Sequence, residues 1–148
     1  MIYITSDHRG FQLKKHLLGY LKNELKIQAE DLGPKEHNPN DDASDFAVRL
    51  SKEVVKNPAN LGILICWTGH SMCISANKIK GIRAIAGYSI EGAEFGRKHN
   101  DANVICLASK YLSDDHAGAI IKKFLETKFD NDERLVRRKK KIEELETL

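Results

Sequence analysis

Apolar runs and helix-spaced apolar positions alternate along the whole chain. Ile2–Thr5 reads as a first strand. Phe11 to Leu25 reads as a helix, because Phe11, Leu13, Leu17, Leu18, Leu21 and Leu25 recur at helical spacing. Ile27–Leu32 is a weaker second strand, and Gly33 to Asp42, rich in glycine, proline, asparagine and aspartate, is a loop. Ala43–Lys56 is a helix with Asp42 as its N-cap. The run Leu61–Cys66 has the composition of a buried strand, and a helix is expected over Ser71–Lys80. Then come a strand at Arg83–Gly87, a helix at Ile90–His99 and a strand at Asn103–Ala108. Leu112–Phe129 is helical, with Asp114 and Asp115 where a helix dipole favours acids. Asp132–Leu148 is a last helix.

Strands that alternate with helices of this length form βαβ units on a parallel sheet. Right-handed crossovers then predict a single α/β domain over residues 1–148, a three-layer α/β/α sandwich with a Rossmann-like parallel sheet of about five strands. The last helix carries only sparse apolar positions, Leu135, Ile142 and Leu145, and is expected to dock on a partner subunit.

Composition adds little to this picture. The 148 residues are 41% hydrophobic and 30% charged, ordinary for a globular protein. A net charge of +3 does not call for nucleic acid, and no apolar stretch approaches the roughly 18 residues of a membrane span. The chain enters its first strand with no signal-peptide pattern, and its three cysteines are odd in number. Reduced thiols and a cytoplasmic location are therefore expected.

Candidate chemistry gathers at strand ends. Cys66 closes the third strand just before Trp67-Thr68-Gly69 and a helix start, where a helix N-terminus would stabilise a thiolate and lower its pKa. The alternative is a small buried hydrophobe, the reading that suits Cys73 and Cys106. Asp7 and His8 follow the first strand, where open α/β sheets bind ligands; capping of the next helix by Ser6 or Asp7 is the competing reading. His70 and Cys73 share a helix face with Cys66 nearby, but the spacing matches no zinc signature, and no metal is expected. His99 and Asn100 close a helix, as a cap or as ligands. Six of the eight residues from Arg134 to Lys141 are basic, and Arg134 and Arg138 share one face. That pair suits a phosphate; a solvated basic face is the alternative, and no aromatic residues interleave the run as nucleic-acid binding would favour.

SDHRGF near the start, LGILIC-x-TG at the third strand, SANKIKGIRA after it, RKHNDANVI and an R-x-x-x-R tail are together similar to the ribose-5-phosphate isomerase B family, which includes the galactose-6-phosphate isomerase subunits. The resemblance spans nearly the whole chain. It implies an aldose–ketose isomerase of a phosphorylated sugar, working through an enediolate without metal or organic cofactor, as a homodimer or homotetramer with sites at the subunit interface. It implies that Cys66 is the base, that Thr68 bonds the reacting sugar, and that His99 from the partner subunit opens the ring. The amides around Gly69, His70, Ser71 and Met72 would hold the enediolate oxygen. Asp7 and Asn100 would bind hydroxyls, and His8, Arg134, Arg138 and Lys110 the phosphate, Lys110 standing where the family commonly has arginine.

Trp67, His70 and Ser71 occupy the family's glycine-rich loop, and Ala43 and Ser44 its Tyr-Pro pair. These replacements predict a sugar other than ribose 5-phosphate, or weak activity on it. A non-catalytic sugar-phosphate-binding or helper subunit is the alternative function.

Overall fold

The computed structural model describes residues 1–148. Five strands form one all-parallel sheet: β1 (Ile2–Ser6), β2 (Ala29–Asp31), β3 (Leu61–Cys66), β4 (Ala84–Ala86) and β5 (Val104–Ala108), in the order β2-β1-β3-β5-β4. The helices are α1 (Phe11–Asn23), α2 (Ala43–Val54), α3 (His70–Ala76), α4 (Ile90–Asn100), α5 (Asp114–Glu126) and α6 (Glu133–Glu144), the last followed by a 3₁₀ turn at Leu145–Thr147.

Strand alternation sorts the core into two layers. Ile4, Ile63, Ile65, Ile105 and Leu107 pack on α1, α4 and α5. Tyr3, Leu64, Cys66, Val104 and Cys106 pack on the opposite face, under α2 and α3. The expected α/β/α sandwich is thus formed, and every residue of β3 is buried, as a central parallel strand requires.

Helix ends differ from the sequence pattern by a few residues, and α2, α3 and α5 are shorter than expected. The helix expected over Ser71–Lys80 starts at His70 and stops at Ala76. There the Asn77 side-chain amide pairs with the backbone of Ala84, donating to its carbonyl at 2.9 Å and accepting from its N–H at 2.8 Å. The left-handed Asp101 (φ 49°) ends α4, and the Ser113 hydroxyl opens α5 by accepting from His116 N–H. Asp42 does stand at the N-cap of α2, but its side chain makes no capping bond. The Lys14 ammonium is 1% exposed and bonds Asp31 at 2.8 Å and the Pro34 carbonyl at 2.8 Å, pinning edge strand β2 and the loop after it.

The tail helix lies on its own chain. Leu135 is buried. Lys139 pairs with Asp101 at 3.1 Å and Glu143 with Arg83 at 3.6 Å, while Glu146 accepts from Gly81 N–H at 2.6 Å. These contacts satisfy the acids that the helix dipole leaves unfavourably placed at its C-terminus. Val136, Ile142 and Leu145 remain 40%, 42% and 61% exposed, an outer apolar face that this chain does not cover.

Candidate active site

The strand order reverses direction at β1 and β3, and ligands of open parallel sheets bind at the carboxyl ends of such neighbours. Cys66 stands there, opposite Ala108 in the register of β3 and β5. Backbone bonds knit the three loops of this edge together: Asp7 N–H to the Ile65 carbonyl, Ser109 N–H to that of Cys66 and Lys110 N–H to that of Trp67, at 3.2, 2.9 and 3.0 Å. Gly69, with φ +80°, turns the chain from β3 into α3, a conformation that side chains resist.

The backbone amides of Thr68, Gly69 and Met72 in this turn favour the Cys66 thiolate. Gly69 offers no capping side chain, so the first-turn amides of α3 stay available to a ligand. Yet the thiol pKa is raised, not lowered as expected from the sequence. Cys66 is 4% exposed, and burial outweighs the amides that favour the thiolate, with the Asp7 carboxylate adding to the rise.

Asp7 is buried too, and its Oδ1 accepts from Gly10 N–H at 3.0 Å. That bond holds the loop before α1 and does not cap the helix, whose first-turn amides receive no side chain from Ser6 or Asp7. Burial holds the Asp7 carboxyl above the usual range despite the Gly10 amide.

His8 has a partner that sequence reasoning missed. Asp41 Oδ1 accepts from the His8 backbone N–H at 3.0 Å and lies 2.6 Å from His8 Nδ1. His37 packs edge-on to the His8 ring at 5.9 Å. Asp41 looked like one acid in a polar loop. Nothing in its local pattern says that the loop folds back over β1. Asp7, His8 and Asp41 offer donor atoms within 4.8 Å of one another, a geometry that could also hold a metal ion. This is a different set from the Cys66, His70 and Cys73 grouping considered above.

Trp67, 41% exposed, forms the rim beside Cys66. Arg9 and Lys110 hold their charges 4.9 and 5.5 Å from its ring. A cavity of about 440 Å³ opens next to it, lined by Thr68, Gly69, His70, Cys73, Tyr88 and Tyr111 among others. His70 and Ser71 are exposed at the start of α3, and Met72 is buried beneath it. Cys106 is core, as expected, and its neighbour Cys73 and burial push its thiol well above the ordinary cysteine value. Cys73 is only half-buried and lines the cavity.

The other four predicted residues are elsewhere. His99 and Asn100 end α4, which runs its 11 residues, about 16 Å, back from the carboxyl edge to the amino edge of the sheet. The Asn100 carbonyl there accepts from Arg83, the residue before β4. Arg134 and Arg138, both exposed, lie on α6, which is anchored to that same end of α4 through Lys139 and Asp101. One chain therefore assembles Asp7, His8, Cys66, Thr68, Gly69, His70, Ser71, Met72 and Lys110 at one edge, and His99, Asn100, Arg134 and Arg138 at the other.

The sequence profile described as Ribose/Galactose Isomerase matches residues 2–142. A protein of Mycoplasma pneumoniae described as a probable ribose-5-phosphate isomerase B is 43% identical over 129 residues, covering 87% of this chain and 84% of that one. Ribose-5-phosphate isomerase B of Mycolicibacterium paratuberculosis is 31% identical over 137 residues, covering 93% and 86%. Among solved structures, ribose-5-phosphate isomerase B from Mycoplasma genitalium with bound ribulose-5-phosphate superposes with a TM-score of 0.93 at 41% identity, covering 99% of this chain and 95% of that one. The ribose 5-phosphate isomerase from Thermotoga maritima gives 0.90 at 37% identity, with 97% of each chain covered.

Proposed function

The chain belongs to the ribose/galactose isomerase family, and we propose that it is an aldose–ketose isomerase that interconverts ribose 5-phosphate and ribulose 5-phosphate through an enediolate. The relatives and the solved structure with bound ribulose-5-phosphate support a pentose phosphate as substrate. The replacements at Trp67, His70 and Ser71 then bear on affinity and on which sugars are refused.

In this reading Cys66, as thiolate, takes the proton from C2 of the open-chain aldose and returns it to C1. The observation that carries the reading is a buried cysteine at the sheet's carboxyl edge, followed by the Gly69 turn and the uncapped amides that open α3. Preorganised amides that meet charge as it develops, in a site that excludes water, stabilise a transition state more than the ground state. The raised thiol pKa makes the thiolate a stronger base once formed. Thr68 bonds the reacting oxygens, Asp7 a hydroxyl, and His8 and Lys110 the phosphate. The route calls for no metal or organic cofactor.

The site closes between two copies. His99, Asn100, Arg134 and Arg138 stand at the wrong edge to reach Cys66 of their own chain, so a second subunit supplies them in a homodimer. Tyr88 and Phe95, 71% and 43% exposed beside edge strand β4, suit burial in such an interface.

The test is isomerisation of ribose 5-phosphate, with solvent deuterium exchange at C1 and C2 of the sugar. Cys66→Ala should lose at least about 100-fold in rate, the scale of a positioned base, with unchanged circular dichroism. Full activity in that variant would overturn the mechanism. Binding without exchange in the unaltered protein would identify the chain as a non-catalytic subunit.

A further inference from the structure

Asp41 has one carboxylate oxygen in use and one without a partner. Oδ1 carries both bonds to His8, from the backbone N–H and from the ring. Oδ2 is buried and has no hydrogen-bond partner, and the Asp41 side chain is 7% exposed. Buried carboxylate oxygens are nearly always bonded, because water no longer compensates the lost interaction. Asp7 does not supply the missing donor: no hydrogen bond joins it to Asp41 Oδ2, and its own Oδ1 accepts from Gly10. A group that donates a hydrogen is what the gap requires.

We propose that Asp41 is a specificity-determining residue whose Oδ2 accepts a hydroxyl of the sugar, while Oδ1 positions His8. The inference rests on the proposed isomerase reading and deepens it. A phosphate oxygen would be repelled by this carboxylate, whereas a hydroxyl is a donor, so Asp41 faces the sugar rather than its charged end. The site lies between Asp7 on one side and His8 on the other. The hydroxyl that fits is that of C3. The C2 oxygen is reacting, and the C4 oxygen closes the furanose ring of a 5-phosphate. The C3 hydroxyl is therefore the one left free between the reaction centre and the phosphate in both ring and open forms. A site that spends a buried acceptor on one hydroxyl rejects the analogue that lacks it, since the acceptor is then stranded.

The experiment compares kcat and KM for ribose 5-phosphate and 3-deoxyribose 5-phosphate in the unaltered protein and in Asp41→Asn. Asparagine keeps an oxygen for the His8 amide and loses the charge. The unaltered protein should prefer the natural sugar by about 100-fold in kcat/KM. Asp41→Asn should lose about 10-fold or more on ribose 5-phosphate and almost nothing on the deoxy analogue. An equal loss on both sugars would reduce Asp41 to holding His8 and overturn the hydroxyl contact, as would no loss on either. Discrimination that disappears on treatment with EDTA would assign Oδ2 to a divalent cation and also overturn it. If Asp41→Asn does not fold, as judged by its thermal melt, Asp41→Ser takes its place in the same comparison. Absence of isomerase activity in the unaltered protein overturns the underlying reading itself, a result distinct from an active protein with no discrimination.

Discussion

Cys66 and His99 stand at opposite edges of one parallel sheet. Cys66 ends β3 at the carboxyl edge, and His99 sits at the far end of α4, beside the residues that lead into β4 and β5. If both act in one reaction, two chains must share each site. Cys66→Ala and His99→Ala should each be inactive alone. Mixed after co-refolding, they should regain about a quarter of the unaltered rate. Half the dimers are then mixed and each holds one intact site, as two-fold symmetry dictates. No recovery, measured with ribose 5-phosphate, would overturn the shared site, and full activity in His99→Ala alone would place His99 outside the reaction.

The raised Cys66 thiol sets the pH dependence. With the thiolate as the proposed base, kcat/KM should climb through neutrality and continue rising into the alkaline range, above the ordinary cysteine value of about 8.5. A plateau already reached in mildly acid buffer would contradict it. Stability should move the other way. Between the unfolded and folded pKa values the folded state holds the extra proton, so this contribution is complete below the unfolded value and is lost as pH rises through the folded one. Cys106, also raised, adds in the same direction. Thermal melts of the unaltered protein and Cys66→Ala from pH 7 upward measure the difference, which should narrow as pH rises.

Trp67 is expected to act through the cations it carries. Neither Arg9 nor Lys110 forms an ion pair, and both sit on its ring. Trp67→Ala should cost only about 1 kcal/mol of stability, since such contacts are worth little at an exposed site. It should raise KM for ribose 5-phosphate several-fold as Lys110 loses its platform, with kcat changed less. A KM that stays constant while kcat collapses would point to direct contact with the reacting carbons instead.

Gly10 marks the closest approach of the β1–α1 loop to β3. A Cβ there would lie 2.5 Å from the Ile65 carbonyl oxygen. Gly10→Ala should therefore cost about 1–3 kcal/mol as the backbone moves apart, and it should loosen the amide that Asp7 accepts. Denaturant unfolding measures it, and an unchanged midpoint would show that the loop yields freely.

Much of the architecture was legible in the periodicities of the chain. β3 is bounded as its apolar run suggests, and the alternation of strands and helices was enough for a parallel sheet. Boundaries drifted where one side chain ends an element, as Asn77 does for α3, because such bonds reach residues that only the fold brings near. The edge position of Cys66 was also legible, but its titration was not. The helix start promised a lowered pKa, and burial on the α2 and α3 face, known only once the layers pack, reversed the sign. Asp41 was illegible for a related reason. It meets His8 across 33 positions of sequence through a loop without periodicity.

The sequence by itself determined the layer order, the strand that ends in Cys66 and the set of residues with matching chemistry. Those follow from covalent geometry, which imposes one repeat on strands and another on helices and so writes each element into a local pattern. Only the tertiary structure decided which residues share an edge. It placed Asp41 on His8, pushed the Cys66 thiol upward and set His99 at the far end of the sheet. Burial and proximity between distant residues depend on how whole layers pack, and no local window of sequence holds that information.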